Sequence, residues 1–137
     1  MFATGIGIPI MAALNAGLGA RTGSPWLATF ILFAVGAVVS GAVLALVGLP
    51  TQLELRAPPQ FFMGGLLVAF YVLSVTLAAP RIGVANAIFF VLIGQMASAA
   101  AVDHFGLFGA MQSPITLRRV LGIGCMTLGV YLARRLT

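Results

Sequence analysis

The chain has 137 residues, 61% of them hydrophobic and 7% charged, with seven arginines, two acids and a formal net charge of +5. Soluble domains carry roughly 25% charged and about 45–50% apolar residues, so this composition, with a mean hydropathy of +1.16, excludes a water-soluble fold. A single cysteine excludes an internal disulfide.

Five apolar stretches, approximately 1–18, 26–49, 61–79, 84–102 and 114–135, alternate with short polar connections. About 20 helical residues cross a hydrocarbon core of about 30 Å, so the expected fold is an all-α integral membrane protein, one five-helix transmembrane domain over 1–137. Met1–Leu18 has no positively charged leading region and no small-residue cleavage pattern, and further spans follow it, which marks it as a span rather than a signal peptide. Pro9 removes a backbone donor within this span. Asn15, toward its end, either lines a cavity or caps the interface beside Gly17 and Gly19. Ser24-Pro25 has the N-cap and N1 pattern that starts a second helix, in which Gly36 and Ser40 form a small-residue stripe.

In the third span Tyr71 and Ser74 share a face, with Thr76 displaced from it. They line a pocket, or the hydroxyl of the serine bonds its own backbone. Gln95 lies near the middle of the fourth span, where an amide without partners is costly in hydrocarbon. It bonds either a solute in a wet cavity or another helix. Ser98 is one turn further on the same face, and Gly94 with Ser98 also makes a small-xxx-small pair that close helix packing explains by itself. Asp103-His104 follows directly. This acid–histidine pair is either a proton relay or a structural device in which Asp103 caps the turn or salt-bridges Arg118 or Arg119. The fifth helix is expected to start at Ser113-Pro114, again as N-cap and N1, with Arg118, Arg119, Arg134 and Arg135 reaching the two interfaces. Gly122, Cys125 and Gly129 form a stripe of small residues along it, and Cys125 is expected to be a packing residue.

No Cys, His, Asp and Glu cluster has metal-ligand spacing, no Gly-rich phosphate loop follows a strand pattern, and no nucleophile triad converges. Neither a metal, a cofactor nor an enzyme activity is therefore expected. Glu54, beside Arg56 in a Pro-rich loop, is expected to be solvated. The arginines are scattered at helix ends with no basic face, so interface anchoring rather than nucleic-acid binding accounts for the positive charge. With the N-terminus on one side, the other side holds Arg21, Arg81, Arg134 and Arg135, while the first holds Arg56, Arg118, Arg119 and the N-terminal amine. Orientation is set mainly by an excess of Lys and Arg in cytoplasmic loops. A chain with a near-tie has little to orient it and is expected to insert both ways.

Ala79-Pro80-Arg81-Ile82-Gly83, then Gly94-Gln95, then Asp103-His104-Phe105-Gly106, then Arg118-Arg119 with Gly122, resemble the C-terminal half of the YdcZ-type family. Near the start, Ala13-Leu14-Asn15-Ala16-Gly17-Leu18-Gly19 followed by Gly23-Ser24-Pro25 is similar to that family's first loop. The resemblance implies membership of the drug/metabolite transporter superfamily, whose larger members hold two five-helix halves in inverted orientation. An unfused odd-helix unit reaches that arrangement by inserting both ways and pairing as an antiparallel homodimer.

Three functions follow from these expectations: a small-solute transporter working by alternating access, a dual-topology ion channel, and a membrane partner that transports nothing itself. The transporter reading places Gln95, Tyr71, Ser74, Asn15 and Ser98 at the substrate, with Asp103, His104 and Arg81 as a candidate proton or charge relay. Gly122, Cys125 and Gly129, or Gly36 and Ser40, form the dimer contact. The small multidrug resistance proteins, relatives in the same superfamily, exchange cations through a carboxylate in the first helix. Met1–Leu18 contains no acid, so a neutral or anionic substrate is expected rather than a cation. The bacterial cytoplasmic (inner) membrane is the expected location.

Overall fold

In the computed structural model, residues 1–49 and 57–133 are described. They form five α-helices, α1 Phe2–Thr22, α2 Pro25–Val47, α3 Gly64–Ile82, α4 Val84–Phe105 and α5 Leu117–Ala133, with short 3-10 turns at Pro59–Met63 and Leu107–Gly109. Arg56, Arg134, Arg135, Glu54 and Thr51 lie outside the described residues. The chain divides into two compact units, Met1–Arg81 and Ile82–Thr137.

In the first unit α1 and α2 are joined by a two-residue turn whose chemistry is local. Gly23 ends α1 in the left-handed region at φ 68°, which glycine enters without the Cβ penalty. Ser24 is extended and its Oγ accepts the backbone N–H of Leu27 at 3.2 Å, with Pro25 in the first turn. The Ser24-Pro25 start of the second helix is therefore as the sequence implies. Such a short connection sets two helices side by side and antiparallel.

The buried positions of α1 are Ala12, Asn15, Ala16 and Gly19, spaced by three and four residues and so on one face. The buried positions of α2 are Ala28 and Thr29, and those of α3 are Val72, Val75, Thr76 and Ala79. Gly19 marks the closest approach. A Cβ there would stand 3.3 Å from the Cα of Pro25, 3.5 Å from Cγ2 of Thr76 and 3.7 Å from the Ala28 Cβ. Among the described residues no large side chain is fully buried, while residues such as Phe30, Leu67 and Phe70 point outward. Apolar side chains gain nothing by leaving lipid, so membrane helices associate through small residues and polar bonds instead.

In the second unit α4 runs to Phe105, so Asp103 and His104 belong to its last turn, not to the loop beyond it. The α4–α5 connection is pinned back onto that turn. The Ser113 N–H donates to the Asp103 carbonyl at 2.8 Å, the Ile115 N–H donates to His104 Nδ1 at 3.1 Å, and the Gln112 amide donates to the His104 carbonyl at 3.3 Å. This corrects the expected start of the fifth helix. With Ser113 and Ile115 held in non-helical backbone by those bonds, Ser113-Pro114 cannot open a helix, and Thr116 caps α5 instead, its Oγ1 accepting the Arg119 N–H at 3.3 Å. Among the described residues four helical segments are long and apolar enough to cross a membrane: Phe2–Thr22, Pro25–Val47, Pro59–Ile82 and Val84–Phe105. At 17 residues α5 stands at the lower limit of spanning length.

Candidate functional site

In the first unit two buried polar side chains, Asn15 of α1 and Thr76 of α3, meet. Asn15 is 4% exposed and Thr76 2%, and the Asn15 Nδ2 donates to Thr76 Oγ1 at 2.6 Å. Thr76 Oγ1 in turn donates to the Val72 carbonyl, one turn back on α3, at 2.7 Å. Because that bond uses the only hydroxyl proton of Thr76, its oxygen meets Asn15 as an acceptor, which fixes the amide nitrogen toward α3. Asn15 keeps Oδ1 and its second Nδ2 hydrogen for another partner.

Two further hydroxyls are buried without a hydrogen-bond partner among the described residues, Thr29 Oγ1 and Tyr71 OH. A helical threonine ordinarily satisfies itself on the preceding turn, and Thr29 does not. Asn15 also forms part of the wall of a groove of about 470 Å³ lined by α1 and α2. The rest of that wall is apolar, including Ile10, Met11 and Leu14 from α1 and Ile31, Leu32 and Val35 from α2.

Of the expected substrate residues, Asn15 is buried and Tyr71 half-buried in the first unit, while Ser74 is exposed on α3. Gln95 and Ser98 lie in the second unit, both exposed on α4, with the Ser98 hydroxyl on the Gln95 carbonyl at 3.2 Å. The Gln95 side chain makes no hydrogen bond among the described residues. It stands at the middle of the 22-residue α4, about 16 Å from either end at the helical rise of about 1.5 Å per residue.

Asp103 pairs with Arg119, Oδ2 to Nη2 at 2.6 Å, with both side chains partly exposed. His104 Nδ1 accepts a backbone N–H, so a neutral ring carries its proton on Nε2. Both residues thus organise the α4–α5 connection. Arg81 is exposed in the last turn of α3. Gly36, Ser40, Gly122, Cys125 and Gly129 are all exposed, and a Cβ at Gly36, Gly122 or Gly129 would meet nothing within 4 Å.

Thr76 and Thr29 were not legible as site residues from the sequence, since Thr76 falls off the Tyr71–Ser74 face. The available signal was the Ala12, Asn15, Ala16, Gly19 stripe, which puts the asparagine on the helix face most able to approach a neighbour. The second unit adds a smaller pocket of about 210 Å³, lined by Asn86, Phe89, Phe90, Ile93, Thr127, Val130 and Tyr131. Among the described residues no group of three or more His, Cys, Asp or Glu could hold a metal ion.

Long apolar helices and small-residue contacts define an all-helical integral membrane protein. The chain belongs to the YdcZ family of the drug/metabolite transporter superfamily: the family model described as "Putative inner membrane exporter, YdcZ" matches residues 1–132. It is accordingly an inner-membrane protein of an exporter family, not of an enzyme family. No curated protein and no solved structure matches the chain.

Proposed function

We propose that this protein exports a small neutral or anionic solute by alternating access, working as an antiparallel homodimer of chains inserted in both orientations. Each chain contributes all five helices, α5 included, as one transmembrane unit. The observation that carries the reading is Gln95: an exposed, unbonded amide at mid-span is costly in hydrocarbon, and polar residues at that depth ordinarily face a bundle interior or a water-filled cavity. In an antiparallel dimer the two-fold axis lies in the membrane plane, so a mid-span residue can face its own copy across a shared cavity. The near-tie of arginines supports insertion both ways. The small-residue stripe Gly122, Cys125, Gly129, or that of Gly36 and Ser40, supplies a surface on which two backbones approach closely.

Asn15, Tyr71 and Ser74 are the candidate substrate-contacting residues of the first unit, with Thr76 holding Asn15 in place, and Gln95 and Ser98 are those of the second. The absence of an acid in α1 favours a neutral or anionic solute, since a buried cation needs a compensating charge. Arg81, Asp103 and His104 are the groups available for moving charge, although the Asp103–Arg119 pair and the His104 backbone bond give two of them a structural task as well.

The test is a melting-temperature screen of purified protein against small metabolites, followed by flux of each stabilising solute in proteoliposomes, because a ligand that binds the native state raises its melting temperature. A solute that stabilises and crosses with the native chain, but does neither with a folded, dimeric Gln95→Ala, is the expected result. A Gln95→Ala protein that melts lower yet transports normally would make Gln95 a structural bond, and stabilising solutes that never cross would overturn export.

A further inference from the structure

The groove between α1 and α2 has a wall chemistry that selects its occupant. Among the described residues no ionisable side chain lines it and the one strongly polar group is Asn15, whose amide is held in a fixed orientation by Thr76. A charged guest would be desolvated there with nothing to neutralise it. A guest with no polar group at all would leave Asn15 Oδ1 and its second amide hydrogen unsatisfied. At about 470 Å³ the groove falls within the range of about 300–1,000 Å³ of small-molecule sites. Both lining helices are among those long and apolar enough to cross a membrane.

We propose that the α1–α2 groove binds an uncharged, lipophilic solute carrying one hydroxyl or amide group, taken from the bilayer and oriented by a hydrogen bond to Asn15. The inference rests on the export reading for its biological meaning, and it narrows the substrate from neutral or anionic to neutral and amphipathic. It also gives Asn15 a reason for its donor bond to Thr76: fixing the amide nitrogen on α3 leaves the carbonyl oxygen for the guest.

The experiment uses the full chain in proteoliposomes with a photoreactive aliphatic alcohol, a diazirine derivative of octanol, and the matching diazirine derivative of octanoate. Adducts are mapped by mass spectrometry. The expected result is labelling of α1 and α2 groove residues by the alcohol, competed away by excess octanol, with the carboxylate labelling the groove far less. Gly7 contributes to the wall, and a side chain there grows into open space. Gly7→Leu should therefore fill the groove without disturbing the fold and weaken alcohol binding by about tenfold, a change of about 1.4 kcal/mol. Asn15→Leu should remove the preference for octanol over octane as competitor.

Labelling that does not saturate and spreads over every lipid-facing helix would overturn the site, as would equal labelling by the carboxylate. Gly7→Leu that converts a dimer to monomers would overturn it too, by making the groove a contact between copies. The two readings fail separately. Saturable groove labelling without flux of any stabilising solute leaves the site standing and refutes export, whereas flux with no saturable groove labelling does the reverse.

Discussion

Replacing either end of the Asn15–Thr76 bond should produce unequal losses of stability, and the inequality follows from the geometry. Thr76 has a second bond, to the Val72 carbonyl at 2.7 Å, so Asn15→Leu, which keeps the side-chain size, leaves its hydroxyl satisfied. The cost should be below about 1 kcal/mol, the scale of side-chain hydrogen bonds between membrane helices, which average about 0.6 kcal/mol and reach about 1.7. Thr76→Val is also nearly isosteric, but it leaves the Asn15 amide nitrogen facing an apolar surface at a position only 4% exposed. Stranding a buried donor costs about 1–3 kcal/mol. Replacing both partners by apolar groups of similar shape removes the stranded donor, so the double variant should be more stable than Thr76→Val alone. Reversible unfolding in bicelles titrated with SDS measures all three variants as a double-mutant cycle, with a coupling of about 1 kcal/mol expected. Equal single losses that simply add would refute the reasoning, because they would mean that water or another group already satisfies the amide.

Gly19→Ala should lower the melting temperature, since its Cβ would stand 3.3 Å from a backbone atom of Pro25 that cannot move independently of the turn; overpacking of this kind costs about 1–3 kcal/mol, while Gly17→Ala, with open space around it, serves as the neutral comparison. Gly122→Leu or Gly129→Leu should dissociate the proposed dimer in detergent without unfolding the chain, as size-exclusion with light scattering reports; unchanged dimers for both would move the contact elsewhere, with Gly36→Leu the next variant to examine.

How far the molecule was legible in its sequence varies with the range of the interaction. The helices follow from hydrophobic runs of spanning length, and the α1–α2 turn follows from Gly23-Ser24-Pro25, whose cap chemistry is local. The start of α5 was not legible, because the same Ser-Pro signal at Ser113-Pro114 is overridden by bonds that this segment donates to Asp103 and His104, ten residues or so earlier in the chain. A local cap is worth about 1 kcal/mol, and several hydrogen bonds acting together outweigh it. The polar centre was half legible. Asn15 and Tyr71 stood out as polar residues in apolar runs, but Thr76 does bond its own turn, so only the neighbouring α1 reveals that it also accepts from Asn15, and nothing local marks Thr29 as lacking that ordinary bond.

The central claim, a dimer of oppositely inserted copies, is tested most directly by where one loop residue sits. In a Cys125→Ser background, Thr51→Cys marks the connection between α2 and α3, and a membrane-impermeant maleimide is applied to intact cells and then to permeabilised ones. If five spans divide the arginines as proposed, four against three, part of the population should label from outside and the remainder only after permeabilisation, and two or three added lysines at one end should collapse this to a single orientation. Labelling of the native-charge chain from one side only would contradict the account.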